Sequence, residues 1–191
     1  MYKISITGKA NSGKNTVAKL LHKKLLKESG YCNYKYIAFA DPIKKMIRIM
    51  FPDLPRKFLN GPSKYRSEQI PGAFKDGNPL TVRQLLIDLG TKVGRAANDS
   101  IWLYVFDKTY EKELKFNDLI IVTDTRFRNE FDHVKNKGFL TIKIVRDDHA
   151  KILDISETSQ DSISDNEYDF IIYNNGTLKE LKDNIDNLKL F

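Results

Sequence analysis

The chain has 191 residues, of which 41% are hydrophobic, 30% charged and 11% aromatic, a composition typical of a folded globular protein and unlike that of a disordered or fibrous chain. It contains no apolar stretch near the roughly 20 residues that a membrane-spanning helix needs, and its single cysteine, Cys32, excludes an internal disulfide. The formal net charge of +7 favours anionic partners, and composition alone leaves both nucleic acid and small phosphorylated molecules open.

The start of the chain predicts alternating strands and helices. Apolar and polar residues alternate over 2–7, which predicts a strand. The segment 8–13 is a glycine-bounded loop, and the apolar positions after it recur at helical spacing. A second strand is predicted over 34–40, followed by Asp41 and Pro42, which suit the N-cap and the first position of a helix.

The middle of the chain predicts an insertion followed by two helices. Prolines and glycines interrupt 51–79, where no period is sustained, so we expect an irregular segment there. Thr81 is expected to cap a helix, and Asn98 or Asp99 to start another, the two forming a hairpin. Residues 52–97 are therefore assigned to an insertion with a helical hairpin.

The last third of the chain repeats the alternation. Strands are predicted at 119–122, 139–145 and 168–173, with helices between and after them and a polar, lid-like surface loop at 146–166. Strands that alternate with helices predict an α/β fold with a mainly parallel sheet of about five strands and helices on both faces. We expect 1–191 to form a single domain.

The loop after the first strand has the spacing G-x-x-x-x-G-K, from Gly8 to Lys14. Glycines let the backbone curl so that several N–H groups face one phosphate, and the following helix N-terminus adds a positive dipole. A lysine in the last position reaches the β and γ phosphates of a nucleotide. Asn15 stands where the general pattern has Ser or Thr, and Thr16 comes next, so the usual Mg²⁺ hydroxyl is displaced. A tight turn with an incidental lysine is the structural alternative.

Further motifs follow along nearly the whole chain. They are FADPIK at 39–44, TVRQLL at 81–86, LGT at 89–91, GR at 94–95, IW at 101–102, TDTRFRNE at 123–130 and NNGTL at 174–178. Together with 8–16, their order and spacing resemble the phage-type deoxynucleoside monophosphate kinases of the P-loop kinase superfamily. The related kinases of dephospho-coenzyme A and phosphomevalonate share this architecture and are the alternatives for the acceptor.

The resemblance implies a three-layer P-loop NTPase fold and transfer of a phosphoryl group from ATP, with Mg²⁺, to a (deoxy)nucleoside monophosphate. The residues it implies for ATP are Gly8, Asn11, Ser12, Gly13, Lys14, Asn15, Thr16, Arg146, Asn175 and Gly176. Those implied for the acceptor are Asp41, Lys44, Arg66, Arg83, Gln84, Arg95 and Arg126. Those implied for catalysis are Lys14, Asp41, Asp124 and Arg126, with Asp124 reaching Mg²⁺ through water.

Each assignment has a structural alternative. Asp41 could serve only as a helix N-cap, and Asp124 with Arg126 could form an ion pair ahead of a helix capped by Asn129 and Glu130. The lid departs from the family pattern. The Ser-Glu pair at 156–157 follows an aspartate, Asp154, where the family has a histidine.

We expect nucleotide substrates as partners and no membrane association. Aromatic and basic residues do not interleave in a nucleic-acid motif, so the rival function, a nucleic-acid-binding P-loop ATPase, is disfavoured. A nucleotide-binding regulator without turnover is a third hypothesis. The start of the chain lacks the pattern of a secretory signal, which predicts a cytoplasmic protein, in the host cytoplasm if phage-encoded. The oligomeric state stays open, a homodimer included.

Overall fold

The structure, a computed structural model, describes residues 1–30, 33–147 and 158–190. The chain divides into two compact units, one formed by Met1–Ala38 with Phe106–Phe191 and the other by Phe39–Val105. The predicted insertion at 52–97 lies within the second unit. None of the described helices has the length and apolar composition that a membrane crossing requires.

Helices and strands alternate along the chain. They are β1 (Tyr2–Gly8), α1 (Lys14–Ser29), β2 (Tyr34–Ile37), α2 (Asp41–Met50), α3 (Arg56–Asn60), β3 (Gln69–Lys75), β4 (Asn78–Thr81), α4 (Val82–Ile87), α5 (Ile101–Glu113), β5 (Leu119–Val122), α6 (Arg128–Asn136), β6 (Leu140–Val145), β7 (Phe170–Tyr173) and α7 (Leu178–Asp186). Short 3₁₀ helices occupy Ser63–Ser67, Ser159–Ser162 and Asp165–Glu167, and a π-helical segment, Asp88–Arg95, continues α4.

The first unit is built on a five-stranded parallel sheet in the order β2-β5-β1-β6-β7. The central strand β1 pairs on both sides, so that Ile4 lies opposite Ile121 of β5 and Leu140 of β6. All four residues of β5 have no exposed surface, as expected for a parallel strand covered on both faces. The predicted α/β fold with a parallel sheet is confirmed.

Helices cover both faces of this sheet. On one face, Leu21 of α1 and Ile185 of α7 belong to the largest apolar cluster, together with Ile172 of β7. On the other face, Phe131 of α6 packs with the neighbouring strand residue, Ile171. Successive strand side chains point to opposite faces, so these two isoleucines fill different layers. The result is the predicted three-layer arrangement.

The second unit contains α2, α3, a β3–β4 ribbon, α4 with its π-helical continuation, and the start of α5. Within this unit, Trp102 connects α5 to the π-helical segment, because the indole Nε1 donates to the carbonyl oxygen of Gly90 at 2.8 Å. A Cβ on Gly94 would lie 2.3 Å from Cζ2 of that ring. The indole therefore packs directly on the backbone of the π-helical segment.

The prediction of an irregular segment at 51–79 is wrong. That stretch contains α3, a 3₁₀ helix and the antiparallel pair β3–β4. Asp76 and Gly77 have φ of 52° and 79° and turn the chain between the two strands, the conformation that an Asp-Gly hairpin turn uses. Pro71 and Pro79 are tolerated because each strand of a two-stranded ribbon has an unpaired edge.

The structure shifts other predicted boundaries by a few residues. The strand predicted over 34–40 ends at Ile37, and Ala40 is the N-cap of α2, so Asp41 is the first helical residue. The Asp41 carboxylate pairs instead with Nζ of Lys44 at 3.0 Å. Of the predicted loop 146–166, the described part after 157 is not purely surface, since Ile163 is buried in the cluster of α6.

Candidate active site

The loop 8–13 curls as its glycines predict. A Cβ on Gly8 would lie 2.7 Å from Ser12 Oγ and 2.8 Å from the carbonyl oxygen of Ile144, so only glycine allows this close approach. Gly13 and Asn11 have φ of 97° and 62°, and the Ser12 N–H donates back to the carbonyl oxygen of Lys9 at 3.1 Å. The loop is a compact bend between β1 and α1.

Lys14 lies across this bend. Its Nζ donates to the carbonyl oxygens of Gly8 at 2.5 Å and Lys9 at 2.7 Å. α1 begins at Lys14, and Asn15 and Thr16, in its first turn, are exposed. The N–H groups of a first helical turn have no acceptor within the helix, and the first turn of α1 contains no acidic residue. The start of α1 is therefore suited to an anion.

Ser12 is buried, with 1% of its surface exposed. Its Oγ has no hydrogen-bond partner among the described residues, although most buried hydroxyls do have one. Its carbonyl oxygen accepts a hydrogen bond from Nδ2 of Asn174 at 2.8 Å. The Ser12 hydroxyl, the N–H groups at the start of α1 and the lysine ammonium together fit a phosphate chain.

Several predicted residues follow the carboxyl ends of neighbouring strands. Asp124 and Arg126 come after β5, Arg146 directly after β6, and Asn175 after β7. Since all the strands of this sheet are parallel, these positions share one edge with the loop that follows β1. Ligands of open α/β sheets bind at this edge.

The segment between β5 and α6 is fixed by buried hydrogen bonds. Ser5 Oγ and Thr125 Oγ1 lie 2.7 Å apart. The carboxylate of Glu130, 3% exposed, accepts from the backbone N–H groups of Arg126 and Phe127 at 2.9 and 3.2 Å. Glu130 therefore caps α6, as the structural alternative predicted. Asp124 and Arg126 are both partly buried on this fixed backbone.

The turn after β7 is tied to the end of β6. Asn175 Oδ1 accepts from the N–H of Asp147 at 2.9 Å, and its Nδ2 donates to the Asp147 carboxylate at 2.6 Å. A Cβ on Gly176 would lie 2.2 Å from a Glu180 carboxylate oxygen. Thr177 is the N-cap of α7, and the Glu180 carboxylate accepts from its backbone N–H. The lack of a side chain at Gly176 therefore leaves room for the Glu180 carboxylate that caps α7.

The second unit places Arg83 and Arg66 on adjoining elements. Arg83 of α4 donates through Nη2 to Ser63 Oγ at 3.0 Å and through Nε to Ser67 Oγ at 3.4 Å. Arg66 belongs to the same 3₁₀ helix as these two serines. Arg83 is therefore bonded to the 3₁₀ helix that carries Arg66, within the second unit.

The remaining predicted acceptor residues are engaged in local contacts. Gln84 Nε2 donates to Asp88 Oδ1 at 3.0 Å, and Arg95 Nη1 donates to the carbonyl oxygen of Asp99 at 3.0 Å. Burial of Asp88 works to raise its pKa, but hydrogen bonds from Lys75, Lys92 and Gln84 outweigh burial and lower that pKa. Asp88 thus remains a carboxylate that joins the β3–β4 ribbon to α4.

Comparison with known proteins identifies the family. The sequence model described as deoxynucleotide monophosphate kinase matches residues 63–185. The chain belongs to this family. It is also 29% identical, over 190 residues, to a protein of Acanthamoeba polyphaga mimivirus whose given name is that of the same family, and the match covers 94% of this chain and 92% of the viral one. The protein is therefore a nucleotide kinase, a phosphotransferase, and the resemblance found in the sequence is confirmed.

One residue at this edge, Asn174, contacts the loop 8–13 and was not among the predicted site residues. Asn174 lies in the 174–178 motif, but its side chain binds the loop 8–13. Its position directly after a strand was the available signal. In the described ranges 1–30, 33–147 and 158–190, no three His, Cys, Asp or Glu side chains are grouped to hold a metal. Asp154 and the Ser-Glu pair at 156–157 lie outside the described residues.

Proposed function

We propose that this kinase transfers the γ-phosphoryl group of ATP to the phosphate of a (deoxy)nucleoside monophosphate and releases two diphosphates. The observation that carries the proposal is the loop 8–14, where the Lys14 ammonium lies on the carbonyl oxygens of a bend that only glycine permits at Gly8. Family membership supports the same class of reaction.

The acceptor is already an oxyanion, so the reaction needs no strong general base. An oxygen of the acceptor phosphate bonds to the γ-phosphorus while the bond to the β–γ bridging oxygen breaks, and that electron pair leaves with ADP. Catalysis then depends on alignment and on cations that neutralise the transferring group. Lys14, Arg126 and Arg146 of the first unit are the cationic side chains that we assign to this role.

The residues of the loop fit a triphosphate. The partnerless Ser12 hydroxyl and the first-turn N–H groups of α1 can donate to phosphate oxygens, and Gly8, Asn11, Gly13, Asn15 and Thr16 complete the loop and the first turn. Mg²⁺ would add charge neutralisation at the phosphates. The partly buried carboxylate of Asp124 is the group that we assign to Mg²⁺, through water. Asn175 and Gly176, at the same edge of the sheet, are also assigned to ATP.

We infer that the second unit binds the acceptor. Arg83 and Arg66 suit the monophosphate, because a guanidinium presents a planar fork of donors to phosphate oxygens. Lys44 and Asp41, which form an ion pair on α2, are also assigned to the acceptor. Arg95, like Arg83, is assigned to the monophosphate. Gln84 is assigned to the base, because it keeps its side-chain carbonyl as an acceptor while its amide donates to Asp88.

An acceptor panel tests the reaction. The purified kinase, with ATP and Mg²⁺, is offered each common deoxy and ribo monophosphate, dephospho-coenzyme A and phosphomevalonate, and ADP release is measured. We expect release with at least one nucleoside monophosphate and none with the other two acceptors. Release that requires added DNA instead of a monophosphate would identify the nucleic-acid-dependent ATPase. Bound ATP without any acceptor-dependent ADP would identify a regulator.

A further inference from the structure

The loop 8–13 is held by a side chain 162 positions away in the sequence. Asn174 Nδ2 donates to the carbonyl oxygen of Ser12 at 2.8 Å. Asn174 is only 8% exposed, so water does not readily replace this bond. Its own backbone is fixed as well, because its N–H donates to the carbonyl oxygen of Val145 at 2.8 Å. The contact is therefore a rigid link from the end of β7 to the loop.

This hydrogen bond fixes the orientation of one peptide plane. A trans peptide is planar, so the N–H of Gly13 points away from the carbonyl oxygen of Ser12. Because Asn174 holds that carbonyl oxygen, it also sets the direction of the Gly13 N–H. Glycine allows the widest rotation about its backbone bonds, and Gly13 has φ of 97°. Asn174 removes the rotational freedom that this glycine introduces.

The two residues also fit each other sterically. A Cβ on Gly13 would lie 2.4 Å from Asn174 Nδ2, closer than nonbonded atoms approach. Glycine is needed here both for the backbone conformation and for the approach of the amide. Asn174 and Gly13 thus form one structural unit across the edge of the sheet.

We propose that Asn174 is a positioning residue for the phosphate chain of the donor nucleotide, acting through the Gly13 N–H and not through the nucleotide base. Its side-chain amide already donates to the loop, which distinguishes it from Asn175 and Gly176 of the same turn, the two residues assigned to ATP. The inference rests on the proposed function, because it concerns how the same loop binds a triphosphate.

The test compares a nucleotide with a ligand that has no base. Asn174→Leu removes the donor without adding charge, and calorimetry measures the binding of ATP and of inorganic triphosphate. Since loss of a buried hydrogen bond of this kind changes an affinity by about tenfold, we expect both ligands to bind about tenfold more weakly. In steady-state kinetics, KM for ATP should rise and kcat should fall, while KM for the acceptor stays the same.

The matched control is Asn117→Leu. Asn117 is partly buried, and its Nδ2 donates to the carbonyl oxygen of Glu113 at 2.8 Å, so the same change removes the same kind of bond. Asn117 precedes β5 and therefore lies at the opposite, amino end of the parallel strands. Its variant should bind ATP and inorganic triphosphate as tightly as the unmodified kinase does.

The outcomes separate the alternatives. Weaker ATP binding with unchanged triphosphate binding would mean that Asn174 contacts the base. Unchanged binding of both ligands would mean that Asn174 has no role in nucleotide binding. Either result overturns the proposal. If circular dichroism shows that Asn174→Leu does not fold, Asn174→Ser, too short to reach the Ser12 carbonyl oxygen, is measured with the same expectation. If the unmodified kinase binds ATP and triphosphate but transfers no phosphoryl group, the proposed function fails while this assignment is still decided by the two affinities.

Discussion

Nζ of Lys14 lies 2.5 Å from the carbonyl oxygen of Gly8, so the last position of the glycine-rich motif is bonded to the first. A second bond, to the carbonyl oxygen of Lys9 at 2.7 Å, holds the ammonium over the middle of the bend. Hydrogen bonds from a charged donor are stronger than neutral ones. Lys14 therefore contributes to the shape of the loop as well as to its positive charge.

Replacement of this lysine should abolish phosphoryl transfer. In Lys14→Ala the transferring group loses its nearest loop cation, and we expect kcat to fall by about 100-fold or more, as happens when one stabilising donor of a transition state is lost. Circular dichroism should show an unchanged fold, because Lys14 is only partly buried. Lys19→Ala, an exposed lysine of the same helix, is the control and should keep full activity. Near-normal turnover of Lys14→Ala would refute the assignment of the loop.

Gly13→Ala should separate backbone strain from the steric conflict with Asn174. Gly13 and Gly30 both have positive φ, 97° and 81°, and with ψ of −133° Gly30 lies in a region that alanine avoids more strongly than the left-handed region of Gly13. A Cβ at Gly30 would meet no atom of the described residues within 4 Å, whereas at Gly13 it would displace the Asn174 amide. We expect Gly13→Ala to lose stability in urea unfolding through both effects, with about 1–3 kcal/mol from the displaced hydrogen bond in addition to the backbone strain, whereas Gly30→Ala loses stability through backbone strain alone.

The same pair gives a functional comparison. ATP affinity should fall in Gly13→Ala and stay unchanged in Gly30→Ala, because only the first substitution disturbs the loop. Equal ATP affinities in the two variants would contradict the link between Gly13, Asn174 and phosphate binding.

Asp88 should make the stability of the kinase depend on acidity. Its pKa lies below the ordinary 3.8, so its stabilising contribution is complete above that value and is lost as the pH falls through the lowered pKa. The side chain is 14% exposed and pairs with Lys92 at 2.9 Å. At pH 7, Asp88→Asn should reduce the free energy of unfolding by about 1–3 kcal/mol.

Urea unfolding at pH 7 and at strongly acidic pH checks this prediction. The difference between Asp88→Asn and the unmodified kinase should shrink in acid, where the native carboxylate is itself protonated. Asp53→Asn, an exposed position of the same unit, should change stability little at either pH. A difference that stays constant from neutral to acidic pH would show that Asp88 acts by packing and not by charge.

Local sequence patterns predicted most of the fold. Four consecutive apolar residues predicted β5 as a doubly covered strand, and the Gly8–Lys14 spacing predicted a curled loop, because both features depend on residues adjacent in sequence. The β3–β4 ribbon was missed because Pro71 and Pro79 masked its strands, although Asp76 and Gly77 form a recognised hairpin turn.

Non-local contacts could not be predicted in the same way. The bond between Asn174 and Ser12 joins the segments that follow the first and last strands in the sequence, and no spacing within either segment encodes it. The π-helical segment Asp88–Arg95 likewise depends on tertiary contacts, since the ring of Trp102 packs on the backbone at Gly94. The sequence thus predicted the curl of the loop 8–13 and not the residues that support that loop.

Arg83 provides the test of the acceptor assignment. Its guanidinium donates to Ser63 Oγ at 3.0 Å and Ser67 Oγ at 3.4 Å, which holds it beside the 3₁₀ helix that carries Arg66. Arg83→Gln keeps a polar side chain but removes the charge and the fork of donors. We expect KM for the monophosphate to rise by about tenfold or more, because hydrogen bonds to charged groups contribute about 1.5–3 kcal/mol, while KM for ATP changes little.

Arg56→Gln is the matched control, since Arg56 is exposed and belongs to the same unit. Its variant should keep both KM values. Inorganic phosphate offers a second readout, because a site built on Arg83 should make phosphate a competitive inhibitor against the monophosphate. That inhibition should weaken in Arg83→Gln and persist in Arg56→Gln. A rise in KM for ATP with an unchanged KM for the monophosphate would reassign Arg83 to the donor, because the two substrates are assigned to different cationic side chains.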